Sequence, residues 1–184
     1  MNKETLKEWL ASERHELLDG TKQAIRQYVA QLRAQHSDIY GFALLPGETY
    51  EIKDLVAAWN RTQDIKKDGS YYRYCVDEWI HWDHKALSAV TPLIAVLNQQ
   101  FSGLHSKDAD DFVMDEFEIA HIRAYRSTFT RALRELKSEG VFDFPNADPY
   151  LAIWFSDSGS DIIFASVKEL NSQRIIDEFK SAFE

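Results

Sequence analysis

Apolar positions along this chain alternate between helical and strand-like spacing. Leu6, Leu10, Leu17 and Leu18, then Ile25, Val29 and Leu32, recur at steps that put them on one helix face. Gly20 interrupts them, which predicts two consecutive helices or one long helix with a break. The run Ile39–Leu45 is apolar and aromatic and is closed by Pro46-Gly47, a strand followed by a turn. Residues 50–60 alternate in their first half like a half-buried strand, while their second half also suits a helix. The reading adopted is a hairpin partner for the first strand. Residues 61–70 are polar and end in Asp68-Gly69-Ser70, a loop. Residues 86–97 form an apolar stretch broken by Pro92 and read as a core helix.

From Asp110 to Lys137 a long helix is predicted, with Ile122, Tyr125, Phe129, Leu133 and Leu136 along one face and Gly140 ending it. Tyr150–Phe155 and Ile162–Val167 read as two strands of a hairpin around Asp157-Ser158-Gly159. Asn171 is placed to cap a last helix that buries Ile175, Ile176, Phe179 and Phe183. The sum is a single α+β domain over residues 1–184, with helices packed on an antiparallel sheet of about four to five strands.

Composition narrows the function. A chain of 184 residues with 45% hydrophobic and 13% aromatic side chains has ample material for one core and is not a disordered composition. Its 30 acids against 21 bases give a formal charge of −9. Nucleic acid and anionic membranes both demand an electropositive surface, so neither is expected as a partner, whereas a basic protein is compatible. The lone cysteine permits no internal disulfide. The opening residues Met1–Trp9 are charged and amphipathic, and no stretch nears the ~20 apolar residues that span a bilayer. A cytoplasmic location is the expectation.

The densest chemistry lies in residues 71–84, where five aromatic rings, two histidines, three carboxylates and Cys75 share fourteen positions. Glu78…His81 and Glu118…His121 each have Glu-x-x-His spacing, as in di-iron bundles, yet the segment Lys85–Leu104 between them contributes no carboxylate. His81, Asp83 and His84 lack a local closing ligand for a single metal, and Cys75 has no evident base to lower its pKa. Ser156, Ser158 and Ser160 stand outside any nucleophile elbow, and there is neither a Walker loop nor a dinucleotide glycine fingerprint. No catalytic, metal or cofactor site is therefore assigned. The rival reading is a small metal- or histidine-dependent hydrolase using His81, His84 and Glu78, and a third is a regulatory protein-binding module.

Trp79, among apolar neighbours, reads as core. Trp82, flanked by Asp83 and His84, reads as an interface anchor together with Tyr72. A second candidate surface is the acidic run Asp108–Glu118. Asp110 and Asp111 are accounted for as helix-start acids, while Asp115 and Glu116 are read as lying further along the helix. With Asp108 and Asp111, and with Asp77 and Asp83 from the aromatic segment, they would form an electronegative face that steers a basic partner.

Three segments carry a family resemblance. Ile39-Tyr40-Gly41-Phe42-Ala43-Leu44, Arg73-Tyr74-Cys75-Val76-Asp77-Glu78-Trp79 and Ser166-Val167-Lys168-Glu169-Leu170-Asn171 resemble, in order and spacing, motifs of the bacterial domain-of-unknown-function family 4303. Tyr74 stands where that pattern has Trp, and Val76 where it has Pro. The resemblance implies an α+β domain and a place among immunity proteins that protect bacteria from polymorphic toxins. The expectation is thus a non-enzymatic inhibitor, without cofactor, that binds a cognate protein toxin.

Overall fold

Two helices open the chain, α1 (Lys3–Ala11) and α2 (His15–Gln35). The computed structural model describes residues 3–47, 51–65, 69–105, 113–145, 148–155 and 160–183. The break between α1 and α2 falls at residues 12–14, and Gly20 lies inside α2. Its missing side chain admits a neighbour: a Cβ there would stand 2.4 Å from Leu93 Cδ1. Close approach of another helix is the reason a mid-helix glycine is kept against a propensity cost of about 1 kcal/mol.

The sheet comprises β1 (Ile39–Leu45), β2 (Val56–Arg61), β3 (His81–Asp83) and β4 (Tyr150–Ile153), in the order β3-β2-β1-β4. β1 pairs antiparallel with β2, and β2 with β3, but β1 and β4 run parallel. The expected all-antiparallel sheet is therefore corrected to a mixed one. The chain reaches β4 only after α4 (Thr91–Leu104) and α5 (Glu116–Ser138), the long helical crossover that a parallel neighbour requires. β2 occupies the second half of the segment in which alternation had placed the strand in the first.

Every residue of β1 is buried, because helices cover both faces of the sheet. Phe42 and Leu44 pack with α2, α4 and α5, along with Ala57, Trp59, Leu151 and Ile153 from neighbouring strands. Tyr40, Ala43 and Leu45 face the other way, toward α3 (Ser70–Tyr74), α6 (Ser160–Leu170) and α7 (Gln173–Phe183). A register shift between Ile39 and Gly41 moves Ile39 to the same face as Phe42.

Three further expectations change. Pro92 does not break a helix but begins α4, after a 3₁₀ turn at Ser88–Val90; the first turn is where proline's missing N–H is harmless. Residues 162–167 lie in helix α6, not in a hairpin strand. The buried positions of α6, Ile163, Ser166, Val167 and Leu170, follow helical spacing. The turn residues 156–159 lie outside the described ones. Finally, α7 starts at Gln173, with the Ser172 carbonyl accepting from the Ile176 N–H at 3.0 Å.

Asn171 has a different task from capping. Its Oδ1 accepts from the Leu151 N–H at 2.8 Å and its Nδ2 donates to the Leu151 carbonyl at 2.7 Å. Ser166 Oγ accepts from the Ile153 N–H at 3.0 Å and donates to the Ile163 carbonyl at 2.8 Å. Two side chains thus satisfy the outer edge of β4 as a fifth strand would.

Candidate functional site

The aromatic segment is both a junction and an edge. Its first half folds inward as α3 and a 3₁₀ turn at Val76–Glu78, with Tyr74, Cys75, Val76 and Trp79 buried. The Trp79 ring lies against Gly41 of β1, where an added Cβ would come within 2.7 Å of the ring. Trp79 Nε1 and Tyr40 OH both donate to the Arg73 carbonyl, at 3.1 and 2.9 Å, and the Arg73 guanidinium stacks on the Tyr40 ring at 4.5 Å. Burial pushes the Cys75 thiol pKa up, the opposite of what a nucleophile needs.

The second half forms β3, and there the side chains alternate. His81 and Asp83 point toward the α2 side of the sheet. The His81 ring stacks on Trp59 at 3.9 Å, and its Nε2 lies 2.7 Å from Asp64 Oδ2. Arg61 grips the same carboxylate through Nε and Nη2, at 2.5 and 3.0 Å. Arg61 first, and His81 after it, hold Asp64 below its ordinary pKa. Asp83 Oδ1 accepts from the N–H groups of Lys85 and Ala86 at 2.8 and 2.9 Å, fixing the exit of the strand. Trp59 Nε1 donates to Tyr28 OH at 3.1 Å. The Tyr28 hydroxyl is pushed up to about 12 by burial and then by Asp83.

On the opposite side, Ile80 is 48% exposed and Trp82 36%, and Tyr71 on α3 is 41% exposed. These are three of the five large hydrophobics exposed among the described residues, so exposed apolar surface concentrates in this segment. Trp82 Nε1 donates to the Trp79 carbonyl at 3.0 Å, which pins the exposed ring to the buried one. Asp77 is exposed in the 3₁₀ turn and Glu78 half-buried beside it. Tyr72 is half-buried with its ring edge-on to Tyr71 at 5.4 Å, so Tyr71 presents the more open surface. Ile80 and Tyr71 were missed by sequence reasoning; the alternation Ile80-His81-Trp82-Asp83 was the available signal.

The second predicted surface is rearranged. Asp108 and Asp111 lie outside the described residues. Asp115 is not part-way along α5 but is its N-cap, accepting from the N–H groups of Phe117 and Glu118 at 2.9 Å each, while Glu118 accepts from the Asp115 N–H at 2.8 Å. His105 Nε2 sits 2.7 Å from Asp115 Oδ2. Burial raises the Asp115 pKa, but the Glu118 N–H, His105 and the Phe117 N–H outweigh it and leave the carboxyl below its usual range. Glu116 is exposed in the first turn. A capping box at the positive end of a helix accounts for these acids as local structure.

Glu78 and His81 occupy a 3₁₀ turn and a strand, not one helix face, and His84 is exposed in the bend after β3. His121 on α5 is buried with Nε2 3.1 Å from Asn98 Oδ1. Among the described residues no group of three His, Cys, Asp or Glu side chains is placed to hold a metal ion. No described helix is long and apolar enough to cross a membrane.

The family model for a domain of unknown function, DUF4303, matches residues 21–172. The chain belongs to the DUF4303 family. No curated protein and no solved structure matches it. The three motif segments of this DUF4303 domain prove to be architectural. Tyr40, Gly41, Arg73 and Trp79 interlock on one face of the sheet, and Ser166 and Asn171 seal its β4 edge. Tyr74 donates its hydroxyl to Glu178 on α7. What the motifs support is the rigid base from which Ile80 and Trp82 project.

Proposed function

We propose that this DUF4303 domain is a cytoplasmic bacterial immunity protein that binds a basic cognate toxin and blocks it by occupying its active site or substrate entry. The observation that carries the reading is the outward pair Ile80 and Trp82 on an edge strand whose inward side chains are locked. An exposed aromatic held in one geometry loses little conformational freedom on docking, which is the property of an interface anchor. Asp77 and Glu78 lie in the 3₁₀ turn that leads into the pair, and the chain carries a charge of −9. Those charges favour encounter with a positively charged partner and disfavour neutral or acidic ones.

In this reading Asp77 and Glu78 steer, Trp82 and Ile80 fill pockets on the toxin, and Tyr71 and Tyr72 extend the contact. Asp83 serves by fixing the strand. The test is co-expression with the toxic domain encoded beside the gene. The wild-type protein is expected to restore growth, and an Ile80→Asp, Trp82→Ala protein with unchanged melting behaviour is expected to fail. Full rescue by that folded double variant would remove the β3 surface from the interface. Turnover of a small compound by the isolated protein, lost on His81→Ala, would replace the reading with an enzymatic one.

A further inference from the structure

On the other side of the sheet, at the corner between α1 and α2, a cation is buried with no counterion among the described residues. Arg14 is only 7% exposed. Its guanidinium lies over the Trp9 ring at 4.7 Å and 6.0 Å from the Tyr125 ring, and Nη1 donates to the Ser12 carbonyl at 3.3 Å. Nε and Nη2, the two donors along one edge of the guanidinium, have no hydrogen-bond partner among the described residues. His121 is also against Trp9, at 5.5 Å between rings, and its Nδ1 is likewise without a partner among the described residues. Its pKa is lowered to about 4 by burial and then by the Arg14 charge, so it is a neutral imidazole near pH 7.

An arginine in low dielectric with at least three of its five N–H donors unused is destabilising unless an acceptor joins it. Room exists on both sides: cavities of about 250 Å³ and about 390 Å³ share Arg14 as a wall. The larger one is bounded by Trp9, Leu93, Val96 and Leu97, with Gln100 adding an amide. At its rim stand Glu13, which is paired with Arg131 at 3.2 Å and lies 3.3 Å from the His15 ring, His15 itself, and Glu16. One cation, apolar walls and an acidic rim select against a phosphate dianion and for a singly charged ligand with an apolar body. The Nε–Nη2 edge is the side-on fork that matches the two oxygens of a carboxylate.

We propose that Arg14 anchors a binding site for a small organic monocarboxylate, its two oxygens on Nε and Nη2 and its apolar part against Leu93, Val96 and Leu97. Trp9 lies across the guanidinium and moves aside on entry, so α1 acts as the cover of the site. A bound carboxylate cancels the Arg14 field at His121.

The experiment is calorimetric titration of the full chain with sodium butyrate, with butyramide and inorganic phosphate as neutral and dianionic controls. Saturable one-to-one butyrate binding is expected, weaker by about tenfold or more in Arg14→Lys, which keeps the charge and loses the fork, and absent in Arg14→Met. In parallel, NMR titration should show the His121 pKa rising from about 4 when butyrate is bound, a shift that a merely structural arginine would not produce. Trp9→Ala should bind butyrate faster. Absence of binding by both wild-type and Trp9→Ala protein overturns the site. Undiminished binding by a folded Arg14→Met or Arg14→Lys protein does the same, and equal binding of butyramide or phosphate overturns the carboxylate assignment.

Discussion

Trp79 and Trp82 stand three residues apart and should respond in opposite ways to replacement by alanine. Trp79 is 4% exposed, fills the space left by Gly41 and donates to the Arg73 carbonyl. Its removal leaves a cavity between α3 and the sheet, for which about 3–5 kcal/mol of stability is expected to be lost. Trp82 is already 36% exposed and loses one hydrogen bond, to the Trp79 carbonyl. Truncating it should cost about 1–2 kcal/mol of stability. Binding inverts the order: as a docking anchor Trp82 should contribute about 2 kcal/mol or more, roughly thirtyfold in Kd. Urea denaturation gives the stabilities, and surface plasmon resonance against the toxin gives Kd. Comparable destabilisation by the two variants, with Kd for Trp82→Ala within about twofold of wild type, would refute the division into an inner and an outer tryptophan.

Three further outcomes are expected. Asn171→Ala strips the partners from the buried Leu151 N–H and carbonyl, so about 2–4 kcal/mol should be lost in chemical denaturation; a change below about 0.5 kcal/mol would mean that water replaces the amide without penalty. Gly41→Ala forces a methyl into the Trp79 ring and should lower stability by about 1–3 kcal/mol, with Trp79 fluorescence shifted because the ring must move. Lys22, and after it Arg131, hold the Glu135 carboxyl down to about 2. A depressed acid contributes stability above its ordinary range, and that contribution is lost as pH falls toward about 2. The melting temperatures of wild type and Glu135→Gln should therefore differ at pH 6 and converge near pH 2; a constant gap would show that the ion pair is not the cause.

Long periodic segments were legible because one face repeats many times. α5 was recognised from Ile122, Tyr125, Phe129, Leu133 and Leu136, and its stop from Gly140, which adopts a φ of 76°. Its start was not, although Asp115-x-x-Glu118 is a capping-box pattern. Placing the helix start at residue 110 made Asp115 look like a free surface acid. Residues 162–167 failed for the opposite reason: a run of six apolar and small residues fits either period, and only packing along β4 decides it. The parallel pairing of β1 with β4 is set by contacts about a hundred residues apart, beyond any local pattern. Trp82 could be singled out from its charged flanks. Arg14 could not, since an arginine between Glu13 and His15 in sequence gives no sign that Trp9 and Tyr125 will enclose it.

The two ends of the sheet are chemically unequal. The Asn171 carboxamide offers the same N–H and C=O pair as a peptide unit, so β4 is terminated by a mimic of backbone that belongs to no strand. At the other end, β3 has a strand neighbour on one side only among the described residues. Growth of the ladder is thus one-way. Two copies meeting β3 to β3 would make a ladder of twice the width and then stop, since both new ends would be sealed, so this fold is barred from endless stacking through its native edges.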